Sequence, residues 1–400
     1  MRKTKHTYRR ILACLLILFP FFSIAQEIKI NSPVYAGKEY QFALNKGIVR
    51  DVVQHGTISS EGQVVLNLPE KDKDYVGMGS LSVDDALVSH FIINHENFEL
   101  EIDSLQKSHF KGSPENTSLY SFLQREVTAS QVDTSLYASS FIDLLVYMRD
   151  LGKARQNLLG LKELLDVKVY ALTQLDYEVL YTSSLWYNII DGLIKLESEE
   201  ATIGNNMVDI LKRIKSQEVF EHLTENLITI TNQYGWDEAF DIIIPYVQES
   251  GRIKIPQGDI YAAFEMAKIK SGFVAPSIEG LDIPLGTTSD KKTLLVFYNS
   301  DCHNCQVQID KLIEKYPELK AQGLRVISIS SDEDRQSDEK YRKKFPWADT
   351  DKLCDLKGFA GPNYMKYGIM GTPTFFLLDK DAKIIKRYAL FSDIDFSSEI

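Results

Sequence analysis

Near the C-terminus a compact, largely apolar run, Thr293-Leu294-Leu295-Val296-Phe297, is followed within a few residues by Cys302-His303-Asn304-Cys305. Apolar residues then recur at helical spacing, at Val307, Ile309, Leu312, Ile313 and Tyr316. Continuous hydrophobicity over Lys292 to Tyr298 predicts a strand inside a sheet covered on both faces. The cysteine pair must therefore sit at a strand-to-helix junction, and Leu324 to Ser330 supplies the next strand of a β-α-β unit. A polar helix is expected over Glu333 to Lys344. Two closing strands are expected over Thr374 to Leu378 and Ile384 to Tyr388, with Asp379-Lys380-Asp381 as the tight turn between them.

At such a junction the first sulfur faces exposed backbone N–H groups and the positive end of a helix dipole, which favours the nucleophilic thiolate. Cys302 is thus expected to attack, and Cys305, one helical turn later, to resolve the mixed disulfide. The alternative, a structural pair or half of a zinc site, needs two more ligands, and only Cys354 and scattered histidines are on offer. No metal and no organic cofactor are expected. Around the pair, the negative charge of Asp301 should oppose thiolate formation, whereas His303, when protonated, should favour it. Asn304 joins them as a tuning residue. Cys354 reads either as a small, partly buried residue or as an accessory thiol that exchanges with the pair.

The rest of the chain is organised differently. Residues 1 to 10 carry five basic and no acidic side chains, an apolar stretch runs from Ile11 to Ile24, and Ser23-Ile24-Ala25 ends it. This is a secretory signal layout with cleavage after Ala25, and it implies an exported, periplasmic protein. Cys14 precedes most of the apolar stretch, which is the wrong order for lipidation. Cleavage takes the formal net charge from −11 to −16. With no basic stripe to offset that charge, a nucleic-acid partner is not expected. Three cysteines remain beyond residue 25, too few for a disulfide framework in a chain of this length.

From Ile28 to Asp103 apolar residues alternate, as in Tyr40, Phe42 and Leu44 or Phe98, Leu100 and Ile102, predicting an antiparallel sheet or sandwich over residues 26–112. Residues 113–271 change to helical spacing, as in Met207, Ile210, Leu211 and Ile214, with Gly160, Gly204 and Gly235 as breaks. Tyr181, Trp186, Tyr187, Tyr234 and Trp236 read mainly as core of this helical domain, with a partner groove as the alternative. An α/β domain then occupies 272–400. Asn116-Thr117-Ser118 fits a glycosylation acceptor and is discounted in a bacterial-type sequence.

Ala275-Pro276, the strand Leu294 to Tyr298, Cys302-His303-Asn304-Cys305 and Gly371-Thr372-Pro373-Thr374-Phe375-Phe376 together resemble the thioredoxin fold, especially the TlpA/ResA-like exported oxidoreductases. The resemblance covers about Gly272 to Tyr388. It implies that Pro373 is a cis proline facing the cysteines and that the backbone of Thr372 positions the substrate strand. Buried acids of relatives have no counterpart, since Val296 and Gln308 occupy the matching positions. Only a short segment follows Tyr388, where relatives carry a C-terminal helix.

Residues and resemblance together predict thiol-disulfide exchange through Cys302 and Cys305, acting on protein disulfide or thiol substrates, most readily as a reductase of exported proteins. A reductase needs an electron donor, for which a membrane thiol transporter is a candidate. The same chemistry run as an oxidant or isomerase is one alternative. An envelope binding or assembly module with an accessory redox domain is the other.

Overall fold

A computed structural model describes residues 26–397. The signal-peptide reading, with Cys14, lies outside the described residues. The chain forms two compact units, one built from residues up to Asn45 and from Arg50–Ser139, the other from Lys46–Val49 and Ser140 onward.

In the first unit, β1 (Glu27–Asn31), β2 (Glu39–Lys46), β3 (Val49–Thr57), β4 (Gln63–Asn67), β5 (Gly77–Val83), β6 (Ala86–Ile93), β7 (Phe98–Ile102) and β8 (Ser108–Lys111) precede α1 (Pro114–Leu123). They make two four-stranded sheets, ordered β4-β1-β7-β8 and β3-β2-β5-β6. The alternating residues Ile28, Ile30, Phe42, Leu44, Phe98 and Leu100 share one buried cluster, so the period-two pattern marks the inward faces. One pairing departs from the antiparallel expectation: β1 and β7 run parallel, with Ile28 opposite Phe98. Turn residues specify neighbours in sequence, whereas this pair is about seventy residues apart and is chosen by burial alone. Asn116 is fully buried, its side chain accepting from Ile92 N–H and donating to Ile92 C=O, so the acceptor motif is structural.

The second unit opens with helices α2 (Tyr137–Arg155), α3 (Leu161–Thr173), α4 (Tyr177–Tyr181), α5 (Trp186–Ile194), α6 (Glu200–Arg213), α7 (Gln217–Tyr234), α8 (Asp237–Glu249) and α9 (Gly258–Met266). Helices α4 and α5 are separate, with Ser184 between them at φ +69°. Gly235 does end α7, in the left-handed region at φ +68°. Gly204 is not a break. It lies inside α6, where a methyl group would come within 3.1 Å of the Ala239 Cα on α8, so its lack of a side chain permits close helix packing. Trp186 and Tyr181 are buried as expected of core, but Tyr187 and Tyr234 are 65% and 50% exposed, so that reading fails for them. Their spacing is helical, yet they fall on the face turned to solvent.

The remainder is a five-stranded sheet, ordered β11-β10-β9-β12-β13, from β9 (Lys292–Tyr298), β10 (Leu324–Ser330), β11 (Lys352–Cys354), β12 (Thr374–Asp379) and β13 (Ile384–Tyr388). Helices α10 (His303–Ala321), α11 (Arg335–Arg342) and α12 (Pro362–Lys366) connect them. Strand β9 is parallel to β10 and antiparallel to β12. All but one residue of β9 are buried, which agrees with a sheet covered on both faces. On one face Leu294, Val296, Leu312 and Tyr316 pack with Phe391 and Ile394 from the segment after β13. Leu295, Phe297, Tyr364 and Tyr367 pack on the other.

Candidate active site

Strand β9 is the hub of the site because it is central, buried and followed directly by the turn that starts α10. Cys302 caps that helix: its Sγ accepts a hydrogen bond from Cys305 N–H at 3.2 Å. Capping and the helix dipole both place partial positive charge at this sulfur. Across the site the Thr372–Pro373 peptide is cis, and the Thr372 carbonyl accepts from Cys302 Sγ at 3.5 Å. Residues seventy positions apart thus meet at one sulfur because β12 lies beside β9, with Thr374 opposite Phe297.

Cys305 is fully buried within the core cluster. Burial, reinforced by its contact with Cys302, pushes its thiol up to about 12. Because the neutral thiol is the favoured form, stability of the reduced protein is retained below the ordinary value of 9.0 and lost as pH rises toward about 12. Alkylation should follow the same order. In reduced folded protein at pH 8, iodoacetamide is expected to label Cys302 while Cys305, ionised in roughly one molecule in 10⁴, stays protected. Labelling of Cys305 should rise about tenfold per pH unit, and peptide mass spectrometry separates the two sites.

Asp301, His303 and Asn304 are all exposed beside the pair. Val296 and Gln308 are both buried, and Gln308 accepts from Phe391 N–H at 3.0 Å, anchoring the segment after β13. Cys354 is not brought into contact with the pair. It lies on edge strand β11, in register with Ser330 and through it with Tyr298, and its Sγ donates to the Asp332 carbonyl at 3.4 Å. Burial raises its thiol as well.

Sequence patterns barely foreshadow the polar scaffold beneath the loop. Buried Asp332 accepts from both the backbone N–H and the hydroxyl of Ser300, at 3.0 and 2.9 Å, and from Ser330 at 2.8 Å. Gln306 donates to the Ser300 carbonyl at 2.8 Å, and Tyr364 donates to the carbonyls of Tyr298 and Ile329. These bonds hold the turn between β9 and α10 from below. Asp332 lies two residues beyond the end of β10, the strand beside β9, and a carboxylate just after a buried strand was the one legible hint. A cavity of about 610 Å³ lies beside the pair, lined by Asn304, Thr372 and Pro373 on one side and by the α7–α8 junction, with Tyr234 of the groove alternative, on the other.

A family model described as thioredoxin-like matches residues 290–384, and with the dithiol at the head of α10 it defines the class: a thiol-disulfide oxidoreductase on a thioredoxin-like fold. The chain is 32% identical over 127 residues to the thiol-disulfide oxidoreductase ResA of Bacillus thuringiensis subsp. konkukian, covering 31% of this chain and 69% of that one. It is 30% identical over the same length, with the same coverage, to ResA of Bacillus anthracis. A solved thiol-disulfide oxidoreductase from Bacteroides fragilis is 26% identical with a TM-score of 0.25, covering 30% of this chain and 89% of that one. The chain belongs to the ResA-like family of thiol-disulfide oxidoreductases.

Proposed function

We propose that this chain is an exported reductase of protein disulfides, with Cys302 as the attacking sulfur, Cys305 as the resolving one and Thr372–Pro373 as the backbone that positions the client. The observation that carries this reading is the placement of Cys302 Sγ between the Cys305 N–H at 3.2 Å and the Thr372 carbonyl at 3.5 Å, with Cys305 buried behind it. An accessible sulfur at a helix N-terminus is suited to attack, and a shielded one a turn away is suited to release the client. The first ten residues and the apolar stretch after them support export to the periplasm. The pattern of elements supports a division into β-rich (26–112), helical (113–271) and redox (272–400) segments, with the first two selecting or orienting clients. Asp301, His303 and Asn304 tune the pair. Cys354 serves as an accessory thiol only where a client or local opening brings it to the pair. Recharging requires a dithiol donor, of which a membrane thiol transporter is the natural class.

The reduction potential decides direction. Purified Gln26 to Ile400, equilibrated in defined thiol buffers and read by alkylation gel shift, is expected to titrate near or below about −250 mV. A value near about −120 mV makes it a disulfide donor instead. Failure of any reversible pair to titrate removes the redox reading and leaves a binding module.

A further inference from the structure

The cavity beside the cysteines has two walls from different parts of the second unit. One is the redox face, Asn304 and Thr372–Pro373; the other is the α7–α8 junction, from Asn232 to Glu238. The second wall is fixed in place. Arg387 on β13 donates through Nε to Asp237 Oδ1 at 3.0 Å and through a terminal nitrogen to Asn232 Oδ1 at 3.3 Å. Its second terminal nitrogen also bonds to Asp237. A methyl group at Gly371 would come within 3.1 Å of Asn232 Nδ2, and one at Gly235 within 3.6 Å of Ala389 Cβ, so wall and cis-proline loop are in close contact.

Within this space the charges are unequal. Arg387 is consumed by Asp237, which leaves the carboxylates of Glu200, Glu238 and Asp393 against Lys386 alone. Glu200 also accepts from the Glu238 N–H at 3.0 Å, which holds two of these residues together at the start of α8. Tyr234, half exposed on the same wall, stacks on Trp236 with ring centroids 4.8 Å apart, an aromatic face that attracts cations. The net charge of −16 expected for the chain without residues 1–25 adds a long-range attraction of the same sign.

We propose that the α7–α8 junction is the second wall of the client groove and that the groove takes an extended polypeptide segment bearing basic side chains next to its disulfide. This rests on the reductase reading and specifies its substrate class. A volume of about 610 Å³ admits a short stretch of chain, whereas the broad surface of a folded protein is held off by the fixed wall. In the reaction, the Cys302 thiolate attacks one client sulfur and forms a mixed disulfide as the client S–S bond breaks, the leaving sulfur taking up a proton. The Cys305 sulfur then attacks the Cys302 sulfur, the Cys302–client S–S bond breaks, and the proton given up by Cys305 goes to the departing second client sulfur, which leaves as a thiol. Two electrons pass from the enzyme dithiol to the client disulfide.

The test uses mature protein reduced with dithiothreitol and then freed of it, and two disulfide peptides that differ only in having Lys or Glu beside the cysteines. Single-turnover rates are measured by following protein oxidation. The Lys peptide is expected to react roughly tenfold faster at about 0.01 M ionic strength, with the ratio collapsing toward one at about 1 M. In Glu238→Lys and in the milder Glu238→Gln/Asp393→Asn chain, that low-salt ratio should fall at least severalfold. Circular dichroism checks that both are folded. A ratio near one for the wild type, or one that both folded variants leave intact, overturns the proposal. Hydroxyethyl disulfide, small and uncharged, separates the two readings. If it oxidises the wild type while the peptides show no preference, only the groove is wrong; if neither it nor the peptides do, the reductase reading fails and the groove proposal falls with it.

Discussion

Replacing Cys302 with serine is expected to lower the rate of disulfide reduction by at least roughly a thousandfold, because a hydroxyl at that position is not appreciably ionised near neutral pH and cannot take the place of the thiolate. Replacing Cys305 has a different signature. A Cys305→Ser chain keeps the attacking sulfur, capped by the backbone N–H of residue 305 at 3.2 Å, but loses the sulfur that resolves the adduct. It should therefore accumulate mixed disulfides, visible as higher bands on non-reducing gels and removed by dithiothreitol. Cys302→Ser should accumulate none. If instead the two variants trap clients equally, or Cys302→Ser retains turnover, the assignment of attacker and resolver fails. The Cys302→Ser chain in a deletion strain also tests the binding-module alternative, since full rescue without the thiol would place the biological role elsewhere in the chain.

The second large effect concerns stability. Arg325 on β10 and Asp351, just before β11, form a buried bidentate pair with bonds of 3.0 and 2.7 Å, and Arg325 also donates to the Ile283 carbonyl at 3.1 Å. Their side chains are only 7% and 10% exposed. Truncating one partner strands a buried charge, so Asp351→Ala should cost about 3 to 5 kcal/mol, read as a lower urea midpoint at unchanged slope. Replacing both residues with apolar side chains of similar volume should cost far less, since it removes the desolvation penalty along with the attraction. A double variant as unstable as the single one would mean that the pair does more than compensate its own burial. Neither change touches the cysteines, so a folded fraction should keep its redox pair.

How far the sequence could be read depended on how local each signal was. Strand β9 and the helix after Cys302 were legible because period and motif fall within about two dozen residues, and β10, β12 and β13 followed from similar short runs. Edge strand β11 is three residues long and carries too little pattern to be seen. In the N-terminal unit the strands were visible but the parallel β1–β7 pair was not, since alternation marks which face is buried and says nothing of which strand lies alongside.

The same division runs through the site. By itself the sequence determined the chemistry: two cysteines a helical turn apart at a strand end, and a Thr-Pro pair of recognisable kind. Tertiary structure decided what surrounds that chemistry. It buried Cys305, set the Thr372 carbonyl at Cys302, put Asp332 beneath Ser300, left Cys354 on an outer strand and brought Asn232 to Glu238 beside Pro373. The physical reason is that a hydrogen-bonded helix cap is specified by adjacent residues, whereas a groove wall supplied from some 140 residues away exists only once strand order, helix packing and the partly buried Arg387 guanidinium have fixed it.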